Sequence, residues 1–167
     1  KNLFFLPDDK VILADISHSL DLIWESFEKV ARGDKEFYDK RYQRQKAQWL
    51  EDKAAGHLSK LFPPDRIYRK LDYPNPDKSD GSNAELDLAV DWGPFLILME
   101  AKARQFRMES QLGDVGRLRT DIQSNVVDAF EQARRAANYI TLSTSPEFLE
   151  RGTGRKLTIR KNRIRRI

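Results

Sequence analysis

The chain has 167 residues, 30 of them Lys or Arg and 26 Asp or Glu, with a net charge of +4, no cysteine and only two histidines, His18 and His57. That length buries one good core with a helical addition rather than two full domains. The composition excludes disulfide frameworks, cysteine-based zinc sites and His-rich metal sites. No apolar run reaches the roughly 18 residues that a membrane span needs, so no membrane partner is expected. No signal peptide is visible, and a cytoplasmic protein is expected. Because the chain begins on Lys1 and ends on Ile167 in a strand-like run, it reads as a piece of a longer protein.

In chain order, residues 13–30 place Ile16, Leu20, Ile23, Trp24, Phe27 and Val30 on one helical stripe, an amphipathic helix expected to pack on the domain or on a partner. Residues 31–44 are charged and aromatic and link or extend that helix, so that 1–44 form an N-terminal helical extension and 45–167 the main domain. In residues 45–62, Trp49, Leu50, Ala54, Leu58 and Leu61 recur at helical spacing until Pro63 and Pro64 stop the helix. Residues 66–71 are the expected first strand, with Ile67 and Leu71 inward. The Pro, Asp, Ser and Gly cluster of 74–83 is a loop.

Two apolar runs follow. In residues 85–91, Glu85 and Asp87 alternate with Leu86, Leu88 and Val90, a period of two that marks a strand. In residues 95–102, Phe95, Ile97, Met99 and Ala101 alternate with Leu96, Leu98, Glu100 and Lys102. With Gly93 and Pro94 between them, the runs predict a β-hairpin from which Asp87, Glu100 and Lys102 project together. Paired carboxylates suit Mg²⁺, which keeps waters for chemistry, and a lysine beside them can assist an attacking water or stabilise charge building on phosphorus. An exposed edge hairpin protected by its charges is the alternative reading.

The arrangement Asp-x12-Glu-x-Lys over Asp87, Glu100 and Lys102 resembles the PD-(D/E)xK nuclease superfamily, in spacing most like its Holliday-junction resolvase and nuclease-related branches. The resemblance implies an α/β restriction-endonuclease-like core, with a mixed central sheet flanked by helices. It implies Mg²⁺, with Mn²⁺ as a substitute, held by Asp87, Glu100 and the carbonyl of Ala101, and a Lys102 that assists the water. Glu51 resembles the family's helix Glu that reaches the metal, and is equally readable as helix surface. Gln132 resembles the Gln on the helix after the Glu-x-Lys strand. The stricter Gln-x-x-x-Tyr form is absent, since Ala136 stands where the Tyr would be. A literal Pro76-Asp77 pair lies in the 74–83 loop, where a flexible turn cannot fix a carboxylate as a strand can.

Residues 103–120 read as a long loop carrying Arg104, Arg107, Arg117 and Arg119 beside the scissile position. Residues 121–142 read as a long helix with Ile122, Val126, Phe130, Ala133, Ala137 and Ile140 on its buried side. Eight of the 30 basic residues fall in 151–167 with no acid among them, so the first 150 residues carry 22 basic against 26 acidic, a balance of −4. Arg160, Lys161 and Arg163 belong to that basic segment, expected to be a strand pair that follows a phosphate backbone. The function implied is metal-dependent hydrolysis of phosphodiester bonds in DNA, by a chain for which a homodimer is open. The alternative is a catalytically inactive nucleic-acid-binding or protein-interaction module on the same fold.

Overall fold

The computed structural model describes residues 3–5, 11–13, 16–104 and 106–162, which divide into two compact units, Lys1–Lys46 and Ala47–Ile167. The first unit holds an antiparallel strand pair, β1 (Leu3–Phe5) and β2 (Val11–Leu13), which the sequence pattern did not announce. Helix α1 (Ile16–Gly33) follows, then the single turn α2 (Lys35–Phe37), capped by Asp34, whose side chain accepts the Phe37 N–H at 2.9 Å. A π-helical turn, Tyr38–Tyr42, leads into α3 (Gln43–Leu58). Of the apolar stripe of α1, Ile23, Trp24, Phe27 and Val30 are exposed within the single chain. Among the described side chains of this helix the buried one is Glu28, paired with Lys46 at 2.5 Å and Arg32 at 3.3 Å.

The second unit is built on a five-stranded sheet in the order β5-β4-β3-β6-β7, from β3 (Ile67–Pro74), β4 (Asn83–Trp92), β5 (Phe95–Met99), β6 (Glu147–Glu150) and β7 (Lys156–Thr158). Strand and helix are mixed as expected, but every neighbouring pair is antiparallel, so the sheet is not of the mixed kind. The chain returns from its last helix through Ser143–Pro146 and lays β6 against β3 head to tail, over Leu71↔Glu150 and Asp72↔Leu149. The β4–β5 hairpin turns on Gly93 and Pro94, with Gly93 at φ 61, a value that a residue with a Cβ rarely adopts.

Residues 103–120 are not one loop. They contain α4 (Met108–Gln111) and the start of α5 (Val115–Ile122), which Asp114 caps by accepting the Arg117 N–H. Asp121 anchors the segment, taking the Arg107 N–H and Nε–H at 2.8 Å each and the Ser110 hydroxyl at 2.5 Å. From α5 the chain stays helical through a π turn, Gln123–Val127, into α6 (Asp128–Leu142). The wide turn adds a residue to the repeat and rotates the face that follows. In α6 Ala136 and Ile140 are buried, whereas Ile122, Val126 and Phe130, expected inside, are exposed. In α3 Ala55 and Leu58 are buried and Trp49 is exposed, as is Leu61 in the turn after it.

Two apolar clusters hold the sheet. One joins Leu71, Tyr73, Leu86, Ala89 and Leu96 to Ala136 and Ile140 of α6 and to Phe148 and Leu157. The other joins Ile67, Leu88 and Val90 to Ala55 and Leu58 of α3. Leu86 and Leu88 belong to different clusters, although simple alternation puts them on one face. The change-over falls at Asp87. Opposite it stands Lys70, at φ 49 the one residue other than glycine with a positive φ among those described. The β3–β4 register is the same on both sides, with Arg69↔Leu88 before and Leu71↔Leu86 after, and the pair between them is interrupted.

Candidate functional site

Asp87 lies at this interruption on β4, between the edge strand β5 and the central strand β3. On its other side Leu88 pairs with Met99, the last residue of β5, so that Glu100 comes opposite Asp87. Lys70, Asp87 and Glu100 thus follow one another across three adjacent strands. The Ala101 N–H donates to Asp87 Oδ2 at 2.8 Å and fixes that carboxylate where β5 ends. Glu100 is buried enough that its Oε1 has no hydrogen-bond partner. That burial, reinforced by the negative charge of Asp87 and opposed by Lys102, pushes the Glu100 carboxyl up to about 8. Two carboxyls in one place, one of them held protonated near neutrality by burial and its acidic neighbour, suit a hard divalent ion that takes few protein ligands.

The ammonium of Lys102 donates to Gln132 Oε1 from α6, so the structure brings Gln132 to the same place as the Glu-x-Lys run. Glu51, half-buried on α3, is held above the usual carboxylate range by burial, with Lys70 opposing and Asp87 adding to the effect. Its Oε2 lies 3.4 Å from Lys70 Nζ, an ion pair without a hydrogen bond. Lys70 Nζ donates instead to Gln48 Oε1. Sequence reasoning missed both Lys70 and Gln48. Gln48 precedes Glu51 by three residues and so shares its helix face, a signal that was there to be read. Among the described residues, no three acidic or histidine side chains are grouped closely enough to hold an ion between them.

The cations expected to meet DNA separate into two kinds. Arg107 is committed to Asp121 and to the Arg117 carbonyl, so it staples the α4–α5 segment rather than facing solvent alone. Lys161 donates to the Thr141 carbonyl at 2.6 Å. Arg104, Arg117, Arg119 and Arg160 are exposed, and their guanidinium groups are without a partner among the described residues. Arg163 lies outside the described residues. Three further cations of the basic segment are paired with acids: Arg151 with Asp72 and Glu85, Arg155 with Glu150, and Lys156 with Glu147. Only Lys156–Thr158 of that segment forms a described strand, and its Leu157 is buried.

Comparison with known proteins finds no matching family model, no matching curated protein and no matching solved structure.

Proposed function

We propose that this chain is a metal-dependent nuclease that hydrolyses phosphodiester bonds in DNA, on a restriction-endonuclease-like core. The observation that carries this reading is the Asp87–Glu100 pair, in which a buried carboxyl is pushed to about 8 beside a second carboxylate and a lysine. Perturbed titration by burial and a specific charged neighbour is common where acids do chemistry. Asp87 and Glu100 are the residues that would hold Mg²⁺ or Mn²⁺, with the Ala101 carbonyl beside them. The ion would supply positive charge and an acidified water. Glu100 would have to release its proton to hold the ion, so affinity is expected to rise with pH. Asp87 keeps its orientation through the Ala101 N–H. Lys102, held by Gln132, presents its remaining N–H donors toward the charge that develops on a phosphate. Arg104, Arg117 and Arg119, in the segment that follows Lys102, would guide the nucleic acid.

The deciding experiment incubates single-stranded, duplex and branched DNA with the full chain and Mg²⁺ or Mn²⁺. Ion-dependent cleavage by the wild type, absent in a folded Asp87→Ala variant, is the expected result. Intact DNA with every substrate and both ions overturns the reading. In that case the protein-interaction alternative gains, because Trp92, Phe95, Ile97 and Phe130 line an open apolar groove of about 610 Å³ with exposed aromatic rings.

A further inference from the structure

Lys70 stands in the middle of a strand in a left-handed backbone conformation that a side-chain-bearing residue adopts only under strain. Such strain persists only where the surroundings over-determine it. Here the Lys70 carbonyl accepts the Arg151 N–H at 2.9 Å, its ammonium is tied to Gln48, and β3 is paired on both sides. The conformation places a cation opposite Asp87 and 3.4 Å from Glu51, whose facing oxygen is buried and has no hydrogen-bond donor. A two-ion phosphodiesterase site needs acids that reach both ions. In this cleft the acid beyond the Asp87–Glu100 pair faces a built-in ammonium instead.

We propose that Lys70 occupies the second-cation position of the cleft, so that the site takes one divalent ion, at Asp87 and Glu100, and Lys70 supplies the other positive charge to Glu51 and Asp87. This inference rests on the nuclease reading above. Lys70 acts as a positioning residue: it keeps Glu51 from serving a second ion and orders the carboxylates around the first. The ammonium is fixed to the strand, so it is not exchanged as a soluble ion would be.

The test counts Mn²⁺ ions bound per full chain by calorimetric titration and electron paramagnetic resonance. The wild type is expected to bind one. Lys70→Gly removes the ammonium and keeps the backbone, since glycine tolerates φ 49, and Lys70→Asn is a second variant that accepts the same conformation. Both should bind a second ion, and Glu51→Gln added to Lys70→Gly should return the count to one. Two ions in the wild type, or one ion with unchanged affinity in folded Lys70→Gly and Lys70→Asn, overturns the inference while leaving the nuclease reading in place. No ion in the wild type overturns the nuclease reading, and this inference with it.

Discussion

Glu100 makes the metal-free protein sensitive to base. The folded chain holds the carboxyl proton up to about 8, whereas the unfolded chain releases it near the ordinary 4.5. Across that window the folded state binds more protons, so its stability falls as pH rises, and the contribution is complete below 4.5. Glu100→Gln should therefore raise the melting temperature at about pH 8 in the presence of a chelator and change it little at about pH 4, as read by circular dichroism. Lys102 acts later. Lys102→Met frees Gln132 and should lower the cleavage rate by about 10²-fold while the DNA is still bound; cutting at the wild-type rate would remove Lys102 from the chemistry. Asp87 and Glu100, with Lys102 two residues on, were legible as neighbours because hairpin spacing reports which residues come opposite one another, whereas Gln132 was singled out by resemblance alone. Lys70 was not, because side-chain periodicity carries no information about the sign of φ at a lysine.

At the scale of elements, the strands β3 to β5 and the helices α3 and α6 follow from periodicity and breakers, and so do the inward residues Ile67, Leu71, Leu86, Leu88 and Val90, whereas the buried faces of β5 and of the two helices follow only in part. A π turn at Gln123–Val127 is invisible to a count of threes and fours, and it rotates α6 as a whole relative to α5. The α4–α5 segment was read as loop because its order comes from one tertiary anchor rather than from local propensity. Arg107 and Ser110, bonding to Asp121, hold that carboxyl down to about 2 against an ordinary 3.8. The stabilisation is thus present above pH 3.8 and is lost as pH falls through about 2. Asp121→Asn should open residues 107–118 to rapid amide exchange at neutral pH, and the wild-type segment should open in the same way near pH 2. Unchanged exchange in the variant would assign the order of this segment to its apolar packing.

Over the whole chain, the net charge says less about nucleic acid than its distribution suggested, because Arg151, Arg155 and Lys156 are already matched by acids within the sheet. Replacing Arg104, Arg119 and Arg160 with Ala should reduce the slope of log K against log salt for DNA by roughly 0.7–0.9 for each phosphate no longer neutralised, as measured by fluorescence anisotropy. An unchanged slope would move the DNA path elsewhere. Replacing Arg151 should act on the fold instead, for a reason that lies in time rather than in charge. Strands β3 to β5 meet as sequence neighbours, and so do β6 and β7, but the seam between the two groups joins residues 79 positions apart. Closing so long a stretch costs chain entropy before any contact rewards it, so this seam forms late. Arg151→Ala should accordingly speed unfolding and leave the refolding rate nearly unchanged in a denaturant chevron, whereas slowed refolding would put the seam in the nucleus. Because the Arg151 amide also clasps the Lys70 carbonyl, the left-handed residue beside Asp87 gains its last backbone hydrogen bond only when β6 docks on β3. During synthesis, this corner of the acidic site is then expected to tighten only after residues 147–158 have been made.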